Sequence, residues 1–395
     1  MAVQDRVFKA VQDAKQAKDT HGERVINATL GSLYDETPEL VAYQTFYDVY
    51  EGLSRKELAA YASHLQGTPD YRAAIQEWLG VPNAEVIATP GATGALSVVI
   101  HEALPVASTI ILPSIYWGPY ELMAQFQDHS IRKYEMFDGD SFNIKSFQHV
   151  TTDVMQELGH ITVMINDPAQ NPTGYSMTDD EWRLVMKRLR ALSELGEVNV
   201  VLDIAYIDYT KSADRRRSLF RFFDDLPENL NIFVCASLSK TATAYGMRLG
   251  ALVIFSNQQE RLVEVYSAAA RSVWSNVNNG GQIAFSRLIK DNALKQAFFI
   301  EQQEYIDMLN ARSELFLQEA TAVGLPMYPH TEGFFVTIPL AVEYRDQVDQ
   351  ALRDELIYTI SLAGGVRVAL CAIPLRQVKG LAATIQRIIT QVTLA

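Results

Sequence analysis

Seven short strand-like runs, most of them apolar and β-branched, recur between positions 86 and 255 of this chain, and segments of helical periodicity separate several of them. The runs cover residues 86–88, 109–112, 131–136, 161–165, 198–202, 232–235 and 251–255. Strands covered on both faces read as short continuous apolar stretches. Helical patterns lie at 94–103, 179–192 and 259–270. This alternation predicts an α/β domain whose mostly parallel seven-stranded sheet is sandwiched by helices. A long periodic stretch, 291–322, reads as one extended helix that would connect domains. Two further strand-like runs, 333–338 and 366–370, have helices on either side. They predict a smaller α+β domain, joined by the N-terminal segment.

A chain of 395 residues is long enough for two such domains. Its formal net charge of -13 argues against nucleic acid or an anionic membrane as partner. A locally basic pocket for an anionic substrate stays compatible with that charge. The two cysteines, Cys235 and Cys371, each sit in an apolar run, which fits a reducing, cytoplasmic setting without a disulfide framework. The N-terminal residues mix charges around no apolar signal core, and no apolar stretch is long enough to cross a bilayer. Metal-binding spacings such as Cys-x-x-Cys or His-Glu-x-x-His do not occur, so no metal site is expected.

In open α/β sheets ligands gather at the carboxyl ends of strands. The run 232–235 leads into Ser237-Leu238-Ser239-Lys240, with Arg248 about two helical turns on. A lysine at the end of a core strand is costly unless it is used. Held in a dry pocket, its amine loses basicity and attacks carbonyls. Ser237, Ser239 and Arg248 are donors that a phosphate needs. A lysine beside a phosphate cradle suggests an imine with pyridoxal phosphate. Four other strand ends add to this. The small residues of Gly91-Ala92-Thr93-Gly94 open a helix and allow close approach of an anion. Tyr116, Trp117 and Tyr120 could include a stacking plate for a flat ring. The turn Asn166-Asp167-Pro168-Ala169-Gln170-Asn171-Pro172-Thr173-Gly174 is rigid enough to fix an amide against a ligand. Asp203, directly after a core strand, needs a cation or donors, and a protonated pyridine nitrogen would serve. Taken singly, a plain strand-to-helix turn, loop packing, turn chemistry and a buried ion pair would explain these four. Their occurrence in order, each at a strand end, is what carries the reading.

With Asn171-Pro172-Thr173-Gly174, Asp203-x-Ala205-Tyr206, Ser237-x-Ser239-Lys240 and Arg248, the chain resembles the class I/II pyridoxal-phosphate aminotransferases of the aspartate aminotransferase fold, over nearly its whole length. The resemblance implies a large cofactor domain over 44–295 and a small domain from 1–43 and 296–395. It implies that Lys240 forms the imine and moves the proton, and that Asp203 keeps the pyridine nitrogen protonated so that the ring is an electron sink. Asn171 and Tyr206 would bond the ring hydroxyl oxygen. Ala92, Thr93, Ser237 and Arg248 would hold the phosphate, and Trp117 would stack on the ring. Arg367 corresponds to the arginine for the substrate α-carboxylate, a match suited to a guanidinium fork. Arg271 resembles the arginine that reaches a distal carboxylate from the neighbouring subunit, and Tyr61 the tyrosine that reaches the phosphate from there, one residue further from Gly67 than the family pattern. Gly31, in the segment 27–36, lies where the aspartate/aromatic subgroup meets substrate. A homodimer with shared active sites follows from these last assignments. One departure is Tyr120, where aspartate-specific relatives carry a histidine that supports the ring-binding acid.

The activity so implied is ping-pong amino transfer between an L-amino acid (aspartate, glutamate or aromatic) and a 2-oxo acid. A β-lyase or β-decarboxylase would use the same imine and electron sink. A regulatory domain on this fold would bring a DNA-binding segment, and no helix-turn-helix pattern is seen.

Overall fold

A computed structural model describes residues 6–211, 217–362 and 364–394. Residues 1–5, 212–216, 363 and 395, which fall inside the expected domain spans, lie outside the described residues. The chain divides into two compact units. The first comprises Ala42–Pro168 and Met177–Gln303. The second comprises the segment up to Val41, Ala169–Ser176 and the chain from Glu304 onward.

All seven strand-like runs fall on strands of one sheet in the first unit. They are β1 (Glu85–Thr89), β2 (Thr109–Pro113), β3 (Ser130–Tyr134), β4 (His160–Asn166), β5 (Glu197–Asp203), β6 (Leu230–Ser237) and β7 (Gly250–Phe255). Their order across the sheet is β1-β7-β6-β5-β4-β2-β3. Pairings from β6 to β3 are parallel, whereas β7 runs antiparallel to both β1 and β6. Parallel strands with both faces covered are largely apolar, and every residue of β6 is buried. One covering layer is the helices Gly91–Glu102 and Gln259–Val273, whose Ala95, Leu96, Val99, Val263 and Tyr266 share a core cluster with Leu112, Phe233 and Leu252. The helix Asp179–Ser193 opens with a capping box in which Thr178 and Glu181 each satisfy the other's backbone N–H. Acids at its first three positions also suit the positive end of its dipole.

The topology sets which loops meet. The carboxyl ends of β1, β2, β4, β5 and β6 lie along one edge of the sheet, together with the start of β7. Gly250 stands opposite both Thr89 and Ser237. A Cβ at Gly250 would fall 2.4 Å from the Ala236 carbonyl oxygen and 2.7 Å from the Gly91 carbonyl carbon, so this junction closes only around glycine.

The second unit holds a three-stranded antiparallel sheet, with β10 (Gly365–Ala369) between β8 (Phe335–Pro339) and β9 (Ile360–Leu362). A short parallel pair, Ile26–Asn27 with Ile357–Tyr358, ties the N-terminal segment to it. The guanidinium of Arg312 is completely buried there and bonds Glu36 at 2.7 Å and the carbonyls of Leu370 and Cys371 at 3.3 Å. The stretch expected as one long helix is continuous over Asn292–Val323. Among the described residues, no helix is long and apolar enough to cross a membrane.

Candidate active site

The end of β5 places Asp203 in the interior, 4% exposed. Tyr120 donates its hydroxyl hydrogen to Asp203 Oδ2 at 2.6 Å, and the Ala205 N–H donates to Oδ1 at 3.0 Å. Burial pushes the carboxyl pKa up, while these two donors and the charge of Lys240 pull it down. The net result is a raised value, the signature of a carboxylate that gains from one more cation. Tyr120 is itself driven well above the usual phenol range, first by burial and then by the Asp203 charge. It therefore stays a neutral donor. Trp117 packs edge-on against Tyr120, with ring centroids 5.4 Å apart.

Lys240 sits in a one-turn helix, Leu238–Thr241, that follows β6 directly. Ser237 caps this turn by accepting from the Ser239 N–H at 3.1 Å. The Lys240 ammonium lies 4.9 Å from the ring centre of Tyr245 and 6.0 Å from that of Tyr206. Tyr206 is buried three residues beyond Asp203. One strand end thus supplies the acid and an aromatic wall for the lysine.

Donors for an anion gather beside it. Arg248 Nη1 donates to Ser239 Oγ at 3.2 Å and to the Tyr245 carbonyl at 3.1 Å. Its Nη2 lies only 2.7 Å from where a Cβ on Gly91 would stand. Gly91 has φ +75° and begins the helix Gly91–Glu102, so a side chain there is excluded twice over. Ala92 is buried and Thr93 exposed in that first turn. Helix N-terminus, Ser237, Ser239 and Arg248 make a site suited to a phosphate.

In the second unit, Arg367 on β10 is 6% exposed. Its Nη2 donates to the Thr29 carbonyl at 2.9 Å and its Nη1 to Asn171 Oδ1 at 3.2 Å. The guanidinium lies 4.3 Å from the ring centre of Phe335. That ring also meets Gly31, where a Cβ would stand 3.5 Å from Phe335 Cζ. Tyr61 and Arg271 are brought together elsewhere on the first unit. They line one open cleft with His64 and Asn276, and Tyr61 is 88% exposed. Arg271 donates to Ser275 Oγ.

The resemblance puts Tyr120 where relatives support the ring-binding acid, and its hydroxyl does bond Asp203; the hold of Asn171 on Arg367 has no signal in the sequence. Both bonds join residues at least 83 positions apart. The only local signal was Tyr120's place three residues after Trp117.

The description "Aminotransferase class I and II" matches residues 42–385. A crystal structure of an aminotransferase from Anaerococcus prevotii superposes with a TM-score of 0.92 at 31% identity, covering 98% of this chain and 96% of that one. The aspartate aminotransferase of Pseudomonas aeruginosa is 23% identical over 75% of this chain and 76% of its own length. The aromatic amino acid aminotransferase of Corynebacterium jeikeium is 27% identical over 78% and 77%. The chain belongs to the class I and II aminotransferases. It is an enzyme, and pyridoxal phosphate is the cofactor of its amino transfer.

Proposed function

We propose that this aminotransferase acts on aspartate, glutamate or aromatic amino acids, with Lys240 as proton carrier and Asp203 as the partner of the cofactor ring nitrogen. The observation that carries the reading is the state of Asp203, a buried carboxylate held by Tyr120 and poised for a further cation. The residues fit pyridoxal phosphate. Gly91 leaves open the space beside Arg248, and the donors around it suit a phosphate. When bound, the cofactor supplies an electron sink for the pair left behind when a proton leaves the substrate α-carbon.

The chain's own groups do the rest. Arg248, Ser237, Ala92 and Thr93 hold the phosphate, and Trp117 lies against the ring. Asn171 and Tyr206 take the ring oxygen. Lys240 Nζ accepts the α-proton and returns it. Arg367, its fork fixed by Asn171, Thr29 and Phe335, binds the substrate α-carboxylate, with Gly31 leaving room beside Phe335. Arg271 and Tyr61, exposed on one patch, serve the active site of a second copy in a homodimer. A cytoplasmic setting agrees with the two free, buried cysteines.

The test is an absorbance spectrum of the purified protein, followed by additions of glutamate, aspartate and phenylalanine. A near-visible cofactor band that one of them converts, with the conversion lost in Lys240→Ala, supports the reading. No conversion by any of the three, with the band present, excludes these substrates. Pyruvate or carbon dioxide released without an amino acceptor assigns β-lyase or β-decarboxylase chemistry instead.

A further inference from the structure

The helix that carries Lys240 is one turn long, Leu238–Thr241. A single turn fixes several dihedral angles for very few hydrogen bonds and does not hold itself. The residues after it add strain, because Thr243 is a β-branched residue at φ 49°. Something outside the segment must therefore set where the lysine backbone lies.

Three groups do so at successive points. Tyr209 donates its hydroxyl hydrogen to the Lys240 carbonyl at 3.0 Å. Gln302 Nε2 donates to the Thr241 carbonyl at 2.9 Å. The Tyr43 N–H donates to Thr243 Oγ1 at 2.9 Å. The Tyr43 and Tyr209 hydroxyls are themselves 2.9 Å apart. A phenol has one hydrogen. Since that of Tyr209 goes to Lys240, Tyr43 is the donor between the two. The chain Tyr43 to Tyr209 to Lys240 is thus one-directional, and both rings are buried, at 0% and 1% exposure. Tyr209 closes the turn Ile207–Tyr209 just beyond Asp203. The strand end that supplies the acid therefore also supplies the hold on the lysine.

We infer that Tyr209, backed by Tyr43, is a positioning residue for Lys240, pinning the lysine's carbonyl so that its amine keeps one place as it binds and leaves the cofactor. The inference rests on the proposed role of Lys240. Tyr209 touches no reacting atom; it acts through the backbone of the residue that does. Loss of a buried hydrogen bond at this point is felt as misplacement of the amine rather than as loss of substrate binding.

The experiment compares wild type, Tyr209→Phe and Tyr43→Phe as purified holoenzymes and after the cofactor has been stripped. Pyridoxal phosphate is added to the stripped proteins, and the rate at which the near-visible band returns is measured. Tyr209→Phe is expected to slow the return, and to lower kcat, by about five- to tenfold with KM within about twofold. Tyr43→Phe keeps the bond to Lys240 and is expected to slow both by about two- to threefold. A merely structural role would lower the melting temperature and leave the return rate and kcat at wild-type values, and that result overturns the inference. Should Tyr209→Phe not fold, Tyr43→Phe decides on the same readouts. Covalent fixation of the cofactor by borohydride reduction that persists in Lys240→Ala would instead refute the role of Lys240, which separates the two failures.

Discussion

Tyr120 Oη and Asp203 Oδ2 stand 2.6 Å apart in the buried centre of the first unit, with the phenol as donor. A tyrosine whose pKa is driven well above 10 does not titrate in the working range. The acid is thus supported by a group of constant charge, where a histidine would change charge near neutrality. Tyr120→Phe removes a cause that lowers the Asp203 pKa, so that pKa rises further. The acid limb of the kcat/KM profile is expected to move to higher pH, with kcat down about tenfold. A limb at the wild-type pH would show that Tyr120 does not tune Asp203.

Asp203→Asn separates the acid's two effects. The folded pKa of Asp203 is raised above the ordinary 3.8, so ionising it costs stability as pH rises through the folded value. Below about pH 4 both states are protonated and the cost is absent. In cofactor-free protein, Asp203→Asn is therefore expected to raise the melting temperature at pH 7 and to leave it unchanged at low pH. In the loaded enzyme the same change is expected to cut kcat by about a hundredfold or more. Calorimetry of both forms across pH checks the pair.

Gly91→Ala tests the anion site. The new methyl would meet Arg248 Nη2 and would also be strained at φ +75°. Affinity for pyridoxal phosphate, read by equilibrium dialysis, is expected to fall at least about tenfold. An unchanged affinity would mean that the phosphate lies elsewhere.

Arg367→Lys keeps the charge and loses the fork that Asn171 and Thr29 orient. The KM for every amino acid substrate is expected to rise about ten- to a hundredfold, with a smaller change in kcat. Equal KM values in variant and wild type would remove Arg367 from the carboxylate role.

Arg271→Ala is expected to raise KM for aspartate and glutamate about tenfold while leaving phenylalanine within about twofold. Sedimentation should show a dimer. A monomer with full activity toward dicarboxylic substrates would contradict the role given to Arg271 and Tyr61.

The sequence reading went furthest where a property is local. Runs such as 198–202 and 232–235 announce buried strands because a strand covered on both faces is largely apolar. The residues that close a strand are its neighbours in the chain, so Asp203, Ser237 and Lys240 were legible as strand-end residues. Partners are not local. Tyr120 meets Asp203 only because β2 and β5 are separated by β4 alone in the sheet, an order that strand content does not dictate. Nothing near Tyr43 and Tyr209 in the chain indicates that their hydroxyls lead to Lys240. The pairs Ile26–Asn27 and Ile357–Tyr358 are too short to show periodicity.

The reversed course of β7 has a use. Arg248 precedes that strand by two residues, and it meets Ser239 and the start of the Gly91 helix only because β7 begins where β1 and β6 end. Had β7 run with its neighbours, its first residue would lie at the far edge of the sheet, roughly 17 Å away at the usual rise per residue. No side chain spans that gap. Any redesign that straightened this one connection into a parallel crossover would keep all seven strands and still leave its guanidinium on the wrong shore of the protein.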